Sequence, residues 1–73
     1  MLRDPNMLAL VARCGREVIA STNGHGRRWA ADRCVRALVA GGTPLAIAAN
    51  TTQAMVAVAQ GIAAVAATRQ AAP

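Results

Sequence analysis

The chain has 73 residues, and 55% of them are apolar, but only 1% are aromatic: one Trp, no Phe and no Tyr. A domain this small is near the limit at which one core holds alone. Alanine methyls bury little area each, so the composition excludes a large self-contained enzyme fold and favours association with copies of the chain or with a partner.

Eight Arg, no Lys and three acids give a net charge of +5. Seven of the eight Arg precede residue 37, and residues 44 to 68 carry no charge. A basic front half therefore precedes a neutral, Ala-rich back half. Basicity from Arg alone suits a GC-rich bacterial genome, and a cytoplasmic location is expected. The basic half suits nucleic acid or an acidic membrane surface, against the plainer reading of a solvated face.

Met1-Leu2-Arg3-Asp4-Pro5 places an acid and a proline where a secretory leader would need a basic stretch and then an apolar run. It is read instead as a helix start. Asp4 suits the cap and Pro5 the first helical position. The first helix is predicted from about Pro5 to Ala20. At 100° per residue, Leu8, Leu10, Val11, Cys14, Val18 and Ile19 share one side, and Arg13, Arg16 and Glu17 the other.

Ser21-Thr22-Asn23-Gly24-His25-Gly26 reads as a loop, with Gly24 suited to a left-handed helix closure. A second helix is predicted from about Arg27 to Ala40. Ala31, Cys34, Val35 and Leu38 form its apolar arc, and Arg28, Asp32, Arg33 and Arg36 face outward. Trp29 falls on the polar side, one turn before Arg33, where the two side chains are expected to stack. An exposed Trp beside arginines also suits an interface or a membrane-surface anchor.

Gly41-Gly42 ends the second helix, and Thr43-Pro44 starts a third that is predicted to run to about Gln70. Ile47, Met55, Val58, Ile62 and Val65 fall within one arc. Asn50, Gln53, Gln60 and Thr68 fall within another, and alanine lines most of the rest. Arg69 lies in the last turn, where a cation suits the helix dipole. An uncharged helix with small residues and an amide row suits close helix–helix packing in an assembly. The alternative is a plain helix buried against the first two. The segment is long enough to cross a bilayer, but Asn50, Thr51, Thr52, Gln53, Gln60 and the many alanines weigh against insertion.

Cys14 and Cys34 are far apart, no Cys-x-x-Cys occurs, and His25 stands alone between glycines, so no metal site is expected. The thiols read as small buried hydrophobes, although a bridge between paired helices remains open. No Ser/His/Asp set, paired carboxylates or phosphate loop is present, so no catalysis, cofactor or small-molecule substrate is expected. Nucleic-acid binding is the second reading. Arg27, Arg28, Arg33 and Arg36 would contact phosphates from one helix face, with no base-reading Asn or Gln beside them.

The stretch Gly41-Gly42-Thr43-Pro44-Leu45-Ala46-Ile47-Ala48-Ala49-Asn50-Thr51-Thr52-Gln53-Ala54 resembles the R-body (refractile-body, "killing trait") family of bacterial polymer subunits. The shared features are a Gly-x-x-Pro turn, alternating small residues, an Asn-x-x-Gln-Ala step and a long Ala-rich helix ending in Gln. Pro44, Asn50, Gln53, Ala54 and Gln70 match without a gap. The resemblance implies a non-enzymatic subunit that polymerises into a coiled ribbon, which extends on a trigger and ruptures membranes. The back half also resembles, with gaps, the phasins, which coat storage granules with amphipathic Ala/Gln helices.

The sequence thus predicts one small all-α domain. A basic helical hairpin occupies residues 1–40, and a long Ala-rich helix occupies residues 43–70. The expected function is a self-associating structural protein, a homo-oligomer or polymer. It would assemble through Ile47, Asn50, Gln53, Met55, Val58, Ile62 and Val65. The alternative is a basic module that binds nucleic acid or a protein through Arg27, Arg28, Trp29, Arg33 and Arg36.

Overall fold

The protein is described here from a computed structural model covering residues 4–21 and 23–71. Among these residues the chain forms α1 (Pro5–Ala20), α2 (Gly24–Ala40) and α3 (Leu45–Ala71), and no strand. Met1, Leu2 and Arg3, on which the leader reading rests, lie outside the described residues, as does Thr22 of the expected first loop.

Local chemistry explains the boundaries. Asp4 accepts a 2.9 Å hydrogen bond from the Asn6 amide, and Pro5 fills the first helical position, where no donor is needed. At the end of α1, the Ser21 hydroxyl donates to the Glu17 carbonyl at 3.0 Å. Asn23 then caps α2, its side-chain oxygen accepting from the Gly26 amide at 2.7 Å. This cap starts α2 at Gly24, three residues before the expected start at Arg27. Gly24 therefore opens a helix instead of closing one, which corrects its expected left-handed role.

The left-handed position is Gly42, with φ of 102°. Its amide donates to the Val39 carbonyl at 3.0 Å, and the Thr43 amide donates to the Leu38 carbonyl at 2.9 Å. These paired bonds satisfy carbonyls at the end of α2 and turn the chain sharply. Pro44 follows, and its carbonyl accepts from the Ala48 amide at 2.9 Å as α3 begins.

Each helix packs against the other two, so the chain is an all-α three-helix bundle. One end of its core joins Met7, Leu38 and Ala48, with Leu10, Val11 and Val35 around them. The other joins Cys14, Val18, Ala30, Cys34 and Ala59, with Leu10, Met55 and Val56 beside them. Along α1 the buried line is Met7, Cys14 and Val18. Leu8 and Ile19, expected on the apolar side, are exposed. They stand about 100–120° round the helix from Met7 at 100° per residue. On α2 the line is Ala30, Cys34 and Leu38, with Ala31 and Val35 at its half-buried edge.

The buried line of α3 is Ala48, Thr52 and Ala59. Small side chains here let the α3 backbone approach its neighbours closely. Ala59 meets Val18 and Ala30 near the α1–α2 connection. Beyond it α3 continues without companions, and residues 60 to 70 are all exposed. At 1.5 Å per residue, the 27 residues of α3 span about 40 Å against about 24 Å for the 16 of α1. The overhang is the reason the molecule measures 48 × 22 × 16 Å.

Candidate functional site

The apolar arc expected to associate is on the outside of the molecule. Ile47 is 40% exposed, Val58 54%, Ile62 50% and Val65 54%. Met55 alone of the five is half-buried, and it packs on the core at the arc's inner edge. At 100° per residue the arc lies about 90° round α3 from the buried Ala48–Thr52–Ala59 line. The bulky residues thus face away from the bundle, while the small ones make it.

Val58, Gly61, Ile62, Val65, Ala66 and Arg69 line a shallow trough of about 660 Å³ along this face. Gly61 and Ala66, which the arc did not include, widen the trough because their side chains are minimal. Met55, Val58, Ile62, Val65 and Arg69 follow one another at intervals of three, four, three and four residues. That is the spacing of a helical seam in a coiled coil. Leu45, also exposed, lies off this line at the start of α3.

The amide row does not act as one unit. Asn50, Gln53 and Gln60 are exposed, and the Thr68 hydroxyl donates to the Ala64 carbonyl of its own helix at 3.0 Å. Gln53 and Gln60 border a cleft against α2, together with Gly24, Arg27, Arg28, Ala31 and Val56. This position is on the opposite flank of α3 from the apolar trough, so Gln53 separates from the association stripe.

Arg28, Arg33 and Arg36 are exposed, as expected, and lie within about 140° of one another round α2. Arg27 departs from that face. It is half-buried in the α2–α3 cleft, and its Nε is buried without a hydrogen-bond partner among the described residues. The four arginines therefore do not make the single contact face expected of them. Arg27 lies on the same side of α2 as the buried Ala30, Cys34 and Leu38, which is why it is partly covered where Arg28, Arg33 and Arg36 are not.

Trp29 is 63% exposed, and the Arg33 guanidinium lies 4.8 Å from its ring centroid, the expected stacking pair. Cys14 and Cys34 are both free and buried, and they border one small cavity with Leu10, Arg13, Glu17, Arg33 and Ala37. Burial pushes the Cys34 thiol from 9.0 up to about 12. The hydrogen bond and electrostatic influence of Cys14 and the nearby Glu17 carboxylate add to the rise, and Arg33 opposes it. Among the described residues, no three His, Cys, Asp or Glu side chains converge as metal ligands.

By length and composition alone, α3 is long and apolar enough over Leu45–Gln70 to cross a membrane, with a mean hydropathy of 1.2. No protein-family model, curated protein or solved structure matches the chain.

Proposed function

We propose that this chain is a non-enzymatic, self-associating structural protein whose subunits join through the outer apolar face of α3. The observation that carries the reading is the seam Val58, Ile62 and Val65, all half or more exposed, which begins beside the last core residue, Ala59, and runs on along the part of α3 that leaves the bundle. Burying such a side chain stabilises an assembly by about 1 kcal/mol for each half-exposed aliphatic.

The occupant of the seam is a second copy of the chain. The seam repeats at coiled-coil spacing, and residues 44 to 68 carry no charge to repel a copy or specify a different partner. Arg69 sets the direction. In a parallel pair the two Arg69 side chains would face each other across the seam. In an antiparallel pair centred on Ile62, each Arg69 lies opposite Met55 of the other copy, and the like charges separate. The result is a two-fold interface that uses the same residues on both sides. The likeness of residues 41–54 to refractile-body subunits agrees with an assembling protein. Exposed Leu8, Ile19 and Leu45 supply further apolar surface for growth beyond a dimer.

Val58→Asp and Ile62→Asp test this reading. Both positions are exposed in the single chain, so each variant keeps its helicity, while the unpaired charge removes association. Variants that keep the wild-type assembly would exclude the seam. Variants that unfold would show that these side chains belong to the core.

A further inference from the structure

We propose that Cys14 and Cys34 form a reversible disulfide across the α1–α2 contact, so that the stability of the bundle depends on redox conditions. They are the chain's two cysteines. Cys14 lies on the buried line of α1 and Cys34 on that of α2. Both are free thiols, and they share one core cluster with Val18, Ala30 and Ala59. A bridge here ties together the two helices on which the last core residue of α3 packs.

The contact between the thiols is the second observation. Cys14 and Cys34 share a hydrogen bond, which sets both sulfurs on facing sides of the two helices. Both also border one cavity of about 130 Å³, whose walls among the described residues come from α1 and α2 alone. The cavity leaves the side chains room to turn toward each other as a bond forms. Among the described residues no three His, Cys, Asp or Glu side chains group together. A structural zinc, with its four ligands, therefore does not fit the pair.

The oxidant is a small-molecule disulfide such as oxidised glutathione. The Cys14 thiolate attacks one sulfur of that disulfide and expels the other half as a thiolate, leaving a mixed disulfide. The Cys34 thiolate then attacks the Cys14 sulfur and expels the second half. Two protein thiols are oxidised, one small disulfide is reduced to two thiols, and the protein's two protons end on those thiols. Burial holds Cys34 in its protonated form, so Cys14 makes the first attack. Both sulfurs are buried, so exchange proceeds through local opening of the hairpin. Opening sets the rate, and the closed pair sets the equilibrium. A fold that holds the thiols together favours the bridge over the unfolded chain. By linkage the bridge favours the fold by the same factor.

The test equilibrates the full chain with mixtures of reduced and oxidised glutathione, folded in mildly alkaline buffer and unfolded in concentrated urea. Acid quenching, intact mass and thiol counting then give the bridged fraction. The folded chain is expected to bridge at a glutathione ratio about a hundredfold more reducing than the unfolded chain requires. The bridged chain is expected to melt roughly 10 °C or more above the reduced one, and dithiothreitol reverses the shift. Cys14→Ala and Cys34→Ala each remove the redox dependence of melting. The titration itself uses the wild-type chain, so it decides the matter whether or not those variants fold. A folded chain no easier to bridge than the unfolded one would overturn the proposal. So would a bridged chain that loses its helicity, or bridges that form only between chains.

Discussion

The guanidinium of Arg33 sits 4.8 Å from the ring centroid of Trp29, one turn earlier on α2. The stacked cation shields one ring face and uses a charge that would otherwise stand in water. At an exposed site such a contact contributes about 0.5–1 kcal/mol. Arg33→Ala should lower stability by that amount in urea denaturation followed by the single Trp, and Arg33→Lys should lower it less. A loss above about 2 kcal/mol would mean that Arg33 supports more than the ring.

The Cys34 thiol has a second consequence. Its folded pKa is raised, so the folded state favours the protonated form. The stabilisation is complete below the ordinary thiol value of 9.0 and is lost as pH rises through about 12. Unfolding free energy should therefore fall with pH across that window, and Cys34→Ala should flatten the slope. An unchanged alkaline slope in the variant would assign the loss to other groups.

Packing at Ala59 and exposure at Ala63 make a paired prediction. Ala59 is buried where α3 meets Val18 and Ala30, whereas Ala63 lies one turn beyond on the overhang. Ala59→Leu should destabilise the bundle by about 1–3 kcal/mol through overpacking. Ala63→Leu should leave thermal unfolding of the bundle nearly unchanged. Equal effects would mean that the bundle extends further along α3 than Ala59.

Much of the fold was legible in the sequence because its signals are local. Asp4-Pro5 and Thr43-Pro44 mark helix starts through cap chemistry, and Gly41-Gly42 marks a stop. The start of α2 was misplaced because two glycines suggested a loop, whereas Asn23 begins the helix earlier, its side chain accepting from the Gly26 amide and its carbonyl from the Arg27 amide. The Trp29–Arg33 stack followed from residues one turn apart on one helix.

The wheel of α3 identified the apolar stripe but could not tell which helix face meets α1 and α2. Size ranks Val58 and Ile62 above Ala48 and Ala59, yet close backbone approach places the alanines inside. Arg27 was grouped with Arg28, Arg33 and Arg36 by charge, although at 100° per residue it falls within about 20° of the mean direction of the buried Ala30, Cys34 and Leu38, so its partial burial follows from the helical repeat itself.

Sedimentation equilibrium of the wild-type chain, over a wide concentration range in mild buffer, is the most direct measurement. Subunits that join through Val58, Ile62 and Val65 give a concentration-dependent mass of at least twice the 7.5 kDa chain, and Ile62→Asp returns it to the single chain. A wild-type mass that stays at 7.5 kDa up to millimolar concentration would contradict the assembly.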